Sequence, residues 1–149
     1  MDLGSPTTPR WVQRFANFDR AIVLLREIVD LCEQPGSHPA FKEAAIQRFE
    51  FTWELAWKTL KDYLVDRRVT LERLTAADVI RTAFASGFID EGQDWMDALD
   101  ARNRMSHTYD LREFERVYFD IRDRYLPRFE GLHEMFITER LRLDIEQNG

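Results

Sequence analysis

Hydrophobic residues recur along this chain at the three- and four-residue spacing of amphipathic helices. A first helix is predicted from Arg10 to Glu33, with an apolar stripe at Phe15, Phe18, Ile22, Leu25 and Val29. Pro35 and Gly36 end it, because proline and glycine interrupt helices. A second helix is predicted from Pro39 to about Arg67, with its stripe at Phe49, Trp53, Trp57, Leu60 and Leu64.

Three further helical patterns follow. Thr75, with Asp78 three residues later, predicts the start of a short third helix, which Gly87 closes. The fourth pattern begins near Asp90 or Gly92 and carries Trp95, Leu99 and Arg102 on adjoining faces.

The fifth pattern begins at Asp110 and contains a proline, Pro127, which is expected to kink it. Its apolar positions are Phe114, Val117, Ile121, Tyr125 and Phe129. No stretch alternates as a β-strand does. The sequence therefore predicts an all-α fold, an up-and-down four-helix bundle with an additional short helix.

A chain of 149 residues is expected to form one domain. Residues 1–9 contain proline, serine and threonine without the apolar core of a signal peptide, so we expect a disordered arm there and a bundle domain at 10–149. No apolar run approaches the roughly 20 residues that span a bilayer, so no membrane association is expected. Cys32 is the only cysteine, which excludes an intramolecular disulfide, and together these features favour the cytoplasm.

The net charge of −6 disfavours binding of nucleic acid by bulk electrostatic attraction, which usually needs a basic protein. The lysines are Lys42, Lys58 and Lys61, and every other basic residue is arginine. Any phosphate contact is therefore expected to be local and made by arginine.

The segment from Arg102 to Tyr109 concentrates the residues most suited to chemistry. It contains a fixed cation, Arg102, a group that titrates near neutral pH, His107, and the phenol of Tyr109. Arg102 and His107 are five residues apart, which on a regular helix is about 140° of rotation. They can converge only if the helix ends near Ser106, or if two chains contribute.

Several other residues have structural interpretations. We interpret Asp110 as a helix cap, with a role in orienting His107 as the alternative. Glu54 and Lys58 form the usual ion pair four residues apart and are assigned no catalysis. The tryptophans Trp53, Trp57 and Trp95 are interpreted as core residues, not as a stacking surface for bases. His38 and His133 have no carboxylate spacing that suggests a metal site.

A longer block, residues 46–64 (IQRFEFTWELAWKTLKDYL), resembles the nucleotidyltransferase substrate-binding protein family. So do Ile80-Arg81-x-Ala83-Phe84, Trp95-Met96, and Arg102-Asn103 followed by Ser106-His107-Thr108-Tyr109-Asp110. The similarity covers roughly residues 11–125. The resemblance implies a four-helix bundle of the HEPN superfamily, similar to the C-terminal helical domain of kanamycin nucleotidyltransferase. Many such proteins are encoded beside a minimal nucleotidyltransferase as toxin and antitoxin.

The resemblance also implies roles for particular residues. HEPN ribonucleases carry Arg-x4–6-His, which is met here by Arg102, Asn103 and His107, and the extended form adds Tyr109. In related HepT-type toxins the matching tyrosine is adenylylated by the partner enzyme, and the site is assembled across a two-fold dimer.

Our first hypothesis is therefore a homodimeric, metal-independent endoribonuclease toxin that acts on RNA without a cofactor, paired with a minimal nucleotidyltransferase antitoxin. His107 would act as general acid or base, Arg102 would bind the scissile phosphate, and Asn103 would position it. The alternative is a non-catalytic substrate-binding subunit of a two-component nucleotidyltransferase. A third possibility is a purely structural bundle in which these residues only finish a helix.

Overall fold

A computed structural model describes residues 8–148, so most of the arm predicted for residues 1–9 lies outside the described residues. Across that span the fold is all-α, as predicted, and contains no strand. The helices are α1 (Arg10–Cys32), α2 (Ala40–Asp66), α3 (Ala76–Ala85), α4 (Gly92–Met105), α5 (Leu111–Asp120) and α6 (Leu126–Asn148). No helix between residues 8 and 148 combines the length and the apolar character that a membrane span requires.

The first two helices form an antiparallel hairpin around which the core is built. The whole predicted stripe of α1 is buried, and so is the stripe of α2 with the exception of Trp57. Trp57 follows Phe49 by eight residues, which rotates it about 80° from the centre of the buried face. It therefore packs at the edge of the core, half-buried, instead of inside it.

A π-helical turn, Ile121–Tyr125, joins α5 to α6 and makes them one continuous helical rod. The rod, α1, α2 and α4 are the four long helices of the predicted bundle, and α3 is the additional short one. The amide of Leu126 donates to the carbonyl of Ile121, five residues back, immediately before Pro127. Proline has no amide hydrogen to donate, so the regular ladder cannot pass through this point. The interruption predicted from Pro127 takes the form of this wider turn.

The caps of α3 follow the sequence prediction, and its end is close to α4. The hydroxyl of Thr75 accepts from the amide of Asp78 at 3.3 Å, and Gly87 closes the helix with a φ of +79°. A side chain at Gly92 would place its Cβ 3.0 Å from the ring of Phe84. The absence of a side chain at Gly92 therefore allows α4 to begin directly against α3.

Ion pairs and aromatic packing fix α4 against the helical rod. Arg124 of the π-helical turn donates to Asp94 Oδ1 through Nη2 at 2.9 Å, and it also binds Asp97. The bond from Arg124 holds the pKa of Asp97 below its usual range. Trp95 is buried between Trp53 and Phe129, with ring centroids 5.9 and 5.6 Å away. The start of α4 is thus anchored, and its other end carries the Arg102–Tyr109 segment.

Candidate functional site

The segment singled out in the sequence lies where α4 ends and α5 begins. The hydroxyl of Ser106 donates to the carbonyl of Arg102 at 3.1 Å, and the amide of His107 donates to the carbonyl of Arg104 at 3.1 Å. These bonds satisfy carbonyls that the end of a helix leaves without a donor. The cationic side chains Arg102 and Arg104 in the last turn also complement the negative end of the helix dipole.

Asp110 begins α5 as a cap, which confirms its structural interpretation. Its Oδ1 accepts from the amide of Arg112 at 2.9 Å, while its own amide donates to the hydroxyl of Thr108 at 3.2 Å. Glu113 forms an ion pair with Arg104 across the turn. Residues 106–110 are therefore held between two helix ends by local polar contacts.

Arg102 is not free in this structure, because its guanidinium binds α2. Nη2 lies 2.7 Å from Oε1 of Glu54, and Nη1 lies 3.4 Å from Oδ1 of Asn103. The predicted pair of Glu54 with Lys58 is present at 3.5 Å, but the sequence interpretation missed the contact of Glu54 with Arg102. The only sequence signal for this contact is the presence of carboxylates on a helix that is otherwise strongly apolar.

A second carboxylate, Glu50, lies on α2 one helical turn before Glu54. Burial raises its pKa, and the positive charge of Arg102 partly offsets that effect. The residue is half-buried, so its carboxylate is less well hydrated than a surface glutamate. The side of α2 that faces Arg102 is therefore acidic.

His107 and Asn103 line the same surface depression, an open space of about 510 Å³. The other residues around it are Arg104, Thr108, Asp110 and Glu113. Both His107 and Asn103 are exposed to solvent, whereas Arg102 does not line this depression. One chain therefore brings His107 and Asn103 together, and it leaves Arg102 beside them, turned towards α2.

Tyr109 lies on the other side of the turn. It is 95% exposed and lines a second depression of about 440 Å³ between α2 and the start of α5, together with Glu50, Met105 and Phe114. Tyr109 and His107 thus belong to different surface depressions within one chain. The phenol is nonetheless fully accessible to another macromolecule.

The other candidate residues have structural places. Trp53 and Trp95 are buried in the core, which confirms their interpretation. The Nδ1 of His38 accepts from the amide of Ala40 at 3.0 Å, and the Nε2 of His133 lies 2.6 Å from Oδ1 of Asp19. Between residues 8 and 148, no group of three or more histidine, cysteine or acidic side chains could hold a metal ion.

Comparisons with known proteins agree with the sequence resemblance. The family model described as "Nucleotidyltransferase substrate binding protein like" matches residues 13–136. A Haemophilus influenzae protein described as "Probable ribonuclease HepT" is 35% identical over 101 residues, which are 66% of this chain and 65% of that protein. The chain thus aligns with slightly less than two thirds of that relative's length.

Two solved structures share the fold. A protein from Thermus thermophilus, known from a crystal structure, is 31% identical in sequence to this chain, with a TM-score of 0.65. The match covers 82% of this chain and 97% of the other. A Haemophilus influenzae structure, described as revealing the fold of a substrate binding domain of a nucleotidyltransferase, is 29% identical with a TM-score of 0.60. It covers 83% of this chain and 94% of the other.

Proposed function

Because the chain belongs to the nucleotidyltransferase substrate-binding-like family, we propose that it is a metal-independent endoribonuclease of the HEPN type. We propose further that it acts in the cytoplasm as the toxin of a pair whose antitoxin is a minimal nucleotidyltransferase. The observation that carries the proposal is the grouping of Arg102, Asn103 and His107 at the exposed end of α4. The similarity of the chain to a protein described as a probable ribonuclease supports the same activity.

The proposed reaction uses the RNA's own 2′-hydroxyl as the nucleophile. The 2′-oxygen attacks the adjacent phosphorus and loses its proton, the bond from phosphorus to the 5′-oxygen breaks, and that oxygen gains a proton. The products are a 2′,3′-cyclic phosphate and a 5′-hydroxyl. His107 transfers protons, because an imidazole can accept a proton at one ring nitrogen and donate one from the other. Arg102 stabilises the negative charge that grows on the phosphate, and Asn103 positions it.

The complete site in this proposal is shared by two protomers of a homodimer. Within one chain, Arg102 turns towards α2 while His107 and Asn103 line the neighbouring depression. A two-fold contact at this end of α4 would allow Arg102 from one protomer to act with His107 from the other.

Tyr109 is the proposed point of control by the antitoxin. Transfer of a nucleotidyl group to its exposed hydroxyl would add bulk and negative charge two residues from His107. The RNA phosphate would then be repelled from the site. The acidic net charge is consistent with a toxin that depends on specific RNA contacts instead of on general attraction to nucleic acid.

A ribonuclease assay of the purified protein tests this proposal. We expect the wild type to cleave RNA internally and leave cyclic phosphate ends, and the His107→Ala variant to lose the activity. Arg112→Ala, which removes an exposed arginine at the start of α5, serves as a control and should cleave normally. Equal cleavage by wild type and His107→Ala would show that the activity does not depend on His107, and the proposal would then fail.

A non-catalytic substrate-binding subunit is the second candidate function. It is favoured by the solved relative described as a nucleotidyltransferase substrate-binding domain. In this role the Arg102–His107 region would bind an anion or contact the nucleotidyltransferase. Absence of RNA cleavage, together with a nucleotidyltransferase activity that appears only when the two proteins are mixed, would favour it.

A further inference from the structure

We propose that Glu54 of α2 is a positioning residue that holds the guanidinium of Arg102 in the orientation needed to bind the scissile phosphate. This inference rests on the proposed ribonuclease function, and it gives a role to a residue outside the Arg102–Tyr109 segment. Arg102 makes the contact with substrate, and Glu54 acts only through Arg102.

The contact is a close ion pair. Nη2 of Arg102 and Oε1 of Glu54 are 2.7 Å apart, a distance at which opposite charges attract each other strongly. The other carboxylate oxygen, Oε2, accepts from the indole nitrogen of Trp57 at 3.2 Å and lies 3.5 Å from the ammonium of Lys58. Both oxygens of Glu54 are therefore engaged, so the carboxylate is itself held in place on α2.

The bond leaves part of the guanidinium available for an anion. Arginine has five donor hydrogens on three nitrogens, and Glu54 contacts only one of these nitrogens, Nη2. Nε is buried without a hydrogen-bond partner among the described residues. The Nη1 side points to Asn103, which lines the depression shared with His107. Glu54 thus holds Nη2 of the guanidinium, while Nη1 lies beside Asn103.

The same contact contributes little to folding, which argues for a role in orientation. The side chains of Arg102 and Glu54 are 34% and 31% exposed, and ion pairs with this much solvent access add little to stability. A free arginine side chain, in contrast, has many rotamers, and fixing it before the substrate arrives removes that entropic cost from the reaction.

A double-mutant cycle on RNA cleavage tests the proposal. In Glu54→Ala, we expect kcat to fall about a hundredfold with KM little changed, because a displacement of about 1 Å can have such an effect. Glu54→Gln should retain more activity than Glu54→Ala, since its amide oxygen keeps a partial negative charge beside Nη2. In an Arg102→Ala background, Glu54→Ala should cause no further loss, because the two residues act as one unit.

Glu130→Ala is the matched control, because it breaks another interhelical ion pair, with Arg26 at 2.8 Å and 40% exposure of both side chains. It should resemble Glu54→Ala in thermal stability and cleave RNA normally. The proposal is overturned if Glu54→Ala cleaves faster than wild type, which would make Glu54 a brake. It is also overturned if the effect of Glu54→Ala persists without Arg102.

A measurement independent of cleavage separates this inference from the proposed function. Nuclear magnetic resonance of the arginine side chains should show slow rotation of the Arg102 guanidinium in the wild type and in Glu130→Ala, and fast rotation in Glu54→Ala. If wild type shows this restraint but cleaves no RNA, the ribonuclease proposal fails and the orienting contact stands. If Arg102 rotates equally fast in all three proteins, the positioning role is wrong.

Discussion

The hydroxyl of Tyr118 in α5 lies 2.6 Å from Oε2 of Glu33, the residue that follows α1, and donates a hydrogen bond to it. The other carboxylate oxygen accepts from Nη1 of Arg122 at 2.8 Å. The hydrogen bond from Tyr118 is the main reason why the pKa of Glu33 lies below its usual range. The pKa of Tyr118 is raised, mainly because its side chain is buried. This contact ties the end of the first helix to the helical rod.

We expect this contact to make stability depend on pH. The pKa of Glu33 is lower in the folded protein than its ordinary value of 4.5. Ionised Glu33 therefore adds to the free energy of unfolding above pH 4.5, and this contribution is lost as the pH falls through the lowered pKa. Tyr118→Phe should therefore reduce the free energy of unfolding by about 1 kcal/mol at pH 7, and by less at pH 3. Urea unfolding of wild type and Tyr118→Phe at pH 7 and at pH 3 measures these free energies. An equal loss of stability at the two pH values would contradict the expectation.

Replacement of His107 by alanine should abolish growth arrest in cells while leaving the fold intact. The side chain is exposed at the end of α4, so its removal should change the free energy of unfolding by less than about 0.5 kcal/mol. His38→Ala removes another histidine with solvent access and should remain toxic. A large fall in the melting temperature of His107→Ala would assign the residue to structure instead.

RNA cleavage should persist in the presence of EDTA. In the proposed reaction Arg102 supplies the positive charge and His107 transfers the protons, so no step requires a metal ion. Cleavage measured with EDTA and with added magnesium should proceed at the same rate. Activity that EDTA removes and magnesium restores would exclude this mechanism.

The protein should form a homodimer in solution. The expectation arises because Arg102 forms an ion pair with Glu54 of α2 and does not line the depression that His107 and Asn103 share. Analytical ultracentrifugation at micromolar concentration should give twice the mass of one chain. A monomer at that concentration would argue strongly against a site shared by two protomers.

Tyr109 should be the tyrosine that accepts a nucleotidyl group from the partner enzyme. The chain has four tyrosines, and the other three, Tyr63, Tyr118 and Tyr125, are at most 2% exposed, whereas Tyr109 is 95% exposed. Burial also raises the pKa of Tyr63 and of Tyr125 to about 12, so neither is a ready nucleophile.

Intact mass spectrometry after incubation with the cognate nucleotidyltransferase and ATP tests this expectation. Wild type and Tyr118→Phe should gain the same adduct, and Tyr109→Phe should gain none. An adduct that survives in Tyr109→Phe would place the acceptor elsewhere, and no adduct on any of the proteins would favour the passive substrate-binding role.

The sequence predicted the helices well because each one has its own periodic signal and its own caps. The stripe of α1 is buried, and the caps Thr75 and Asp110 accept the bonds expected of them. Trp57 is less buried than the rest of its stripe, because residues spaced four apart shift around the helix by about 40° at each step.

The surroundings of Arg102 could not be predicted in the same way. The contact with Glu54 depends on how α2 and α4 are placed relative to each other, and no local pattern encodes that placement. The separation of Tyr109 from His107 likewise depends on the path of the turn between α4 and α5. The sequence located the candidate site, whereas the orientation of its side chains required the structure.

The π-helical turn at Ile121–Tyr125 also bears on how this chain aligns with its relatives. Such a turn is what results when one residue is inserted into an α-helix and the helices on either side keep their faces. A relative with one residue fewer here would have an uninterrupted helix and the same core contacts in α6. Removal of one residue within this turn should therefore keep Phe129 and Phe136 in the core, where both are buried.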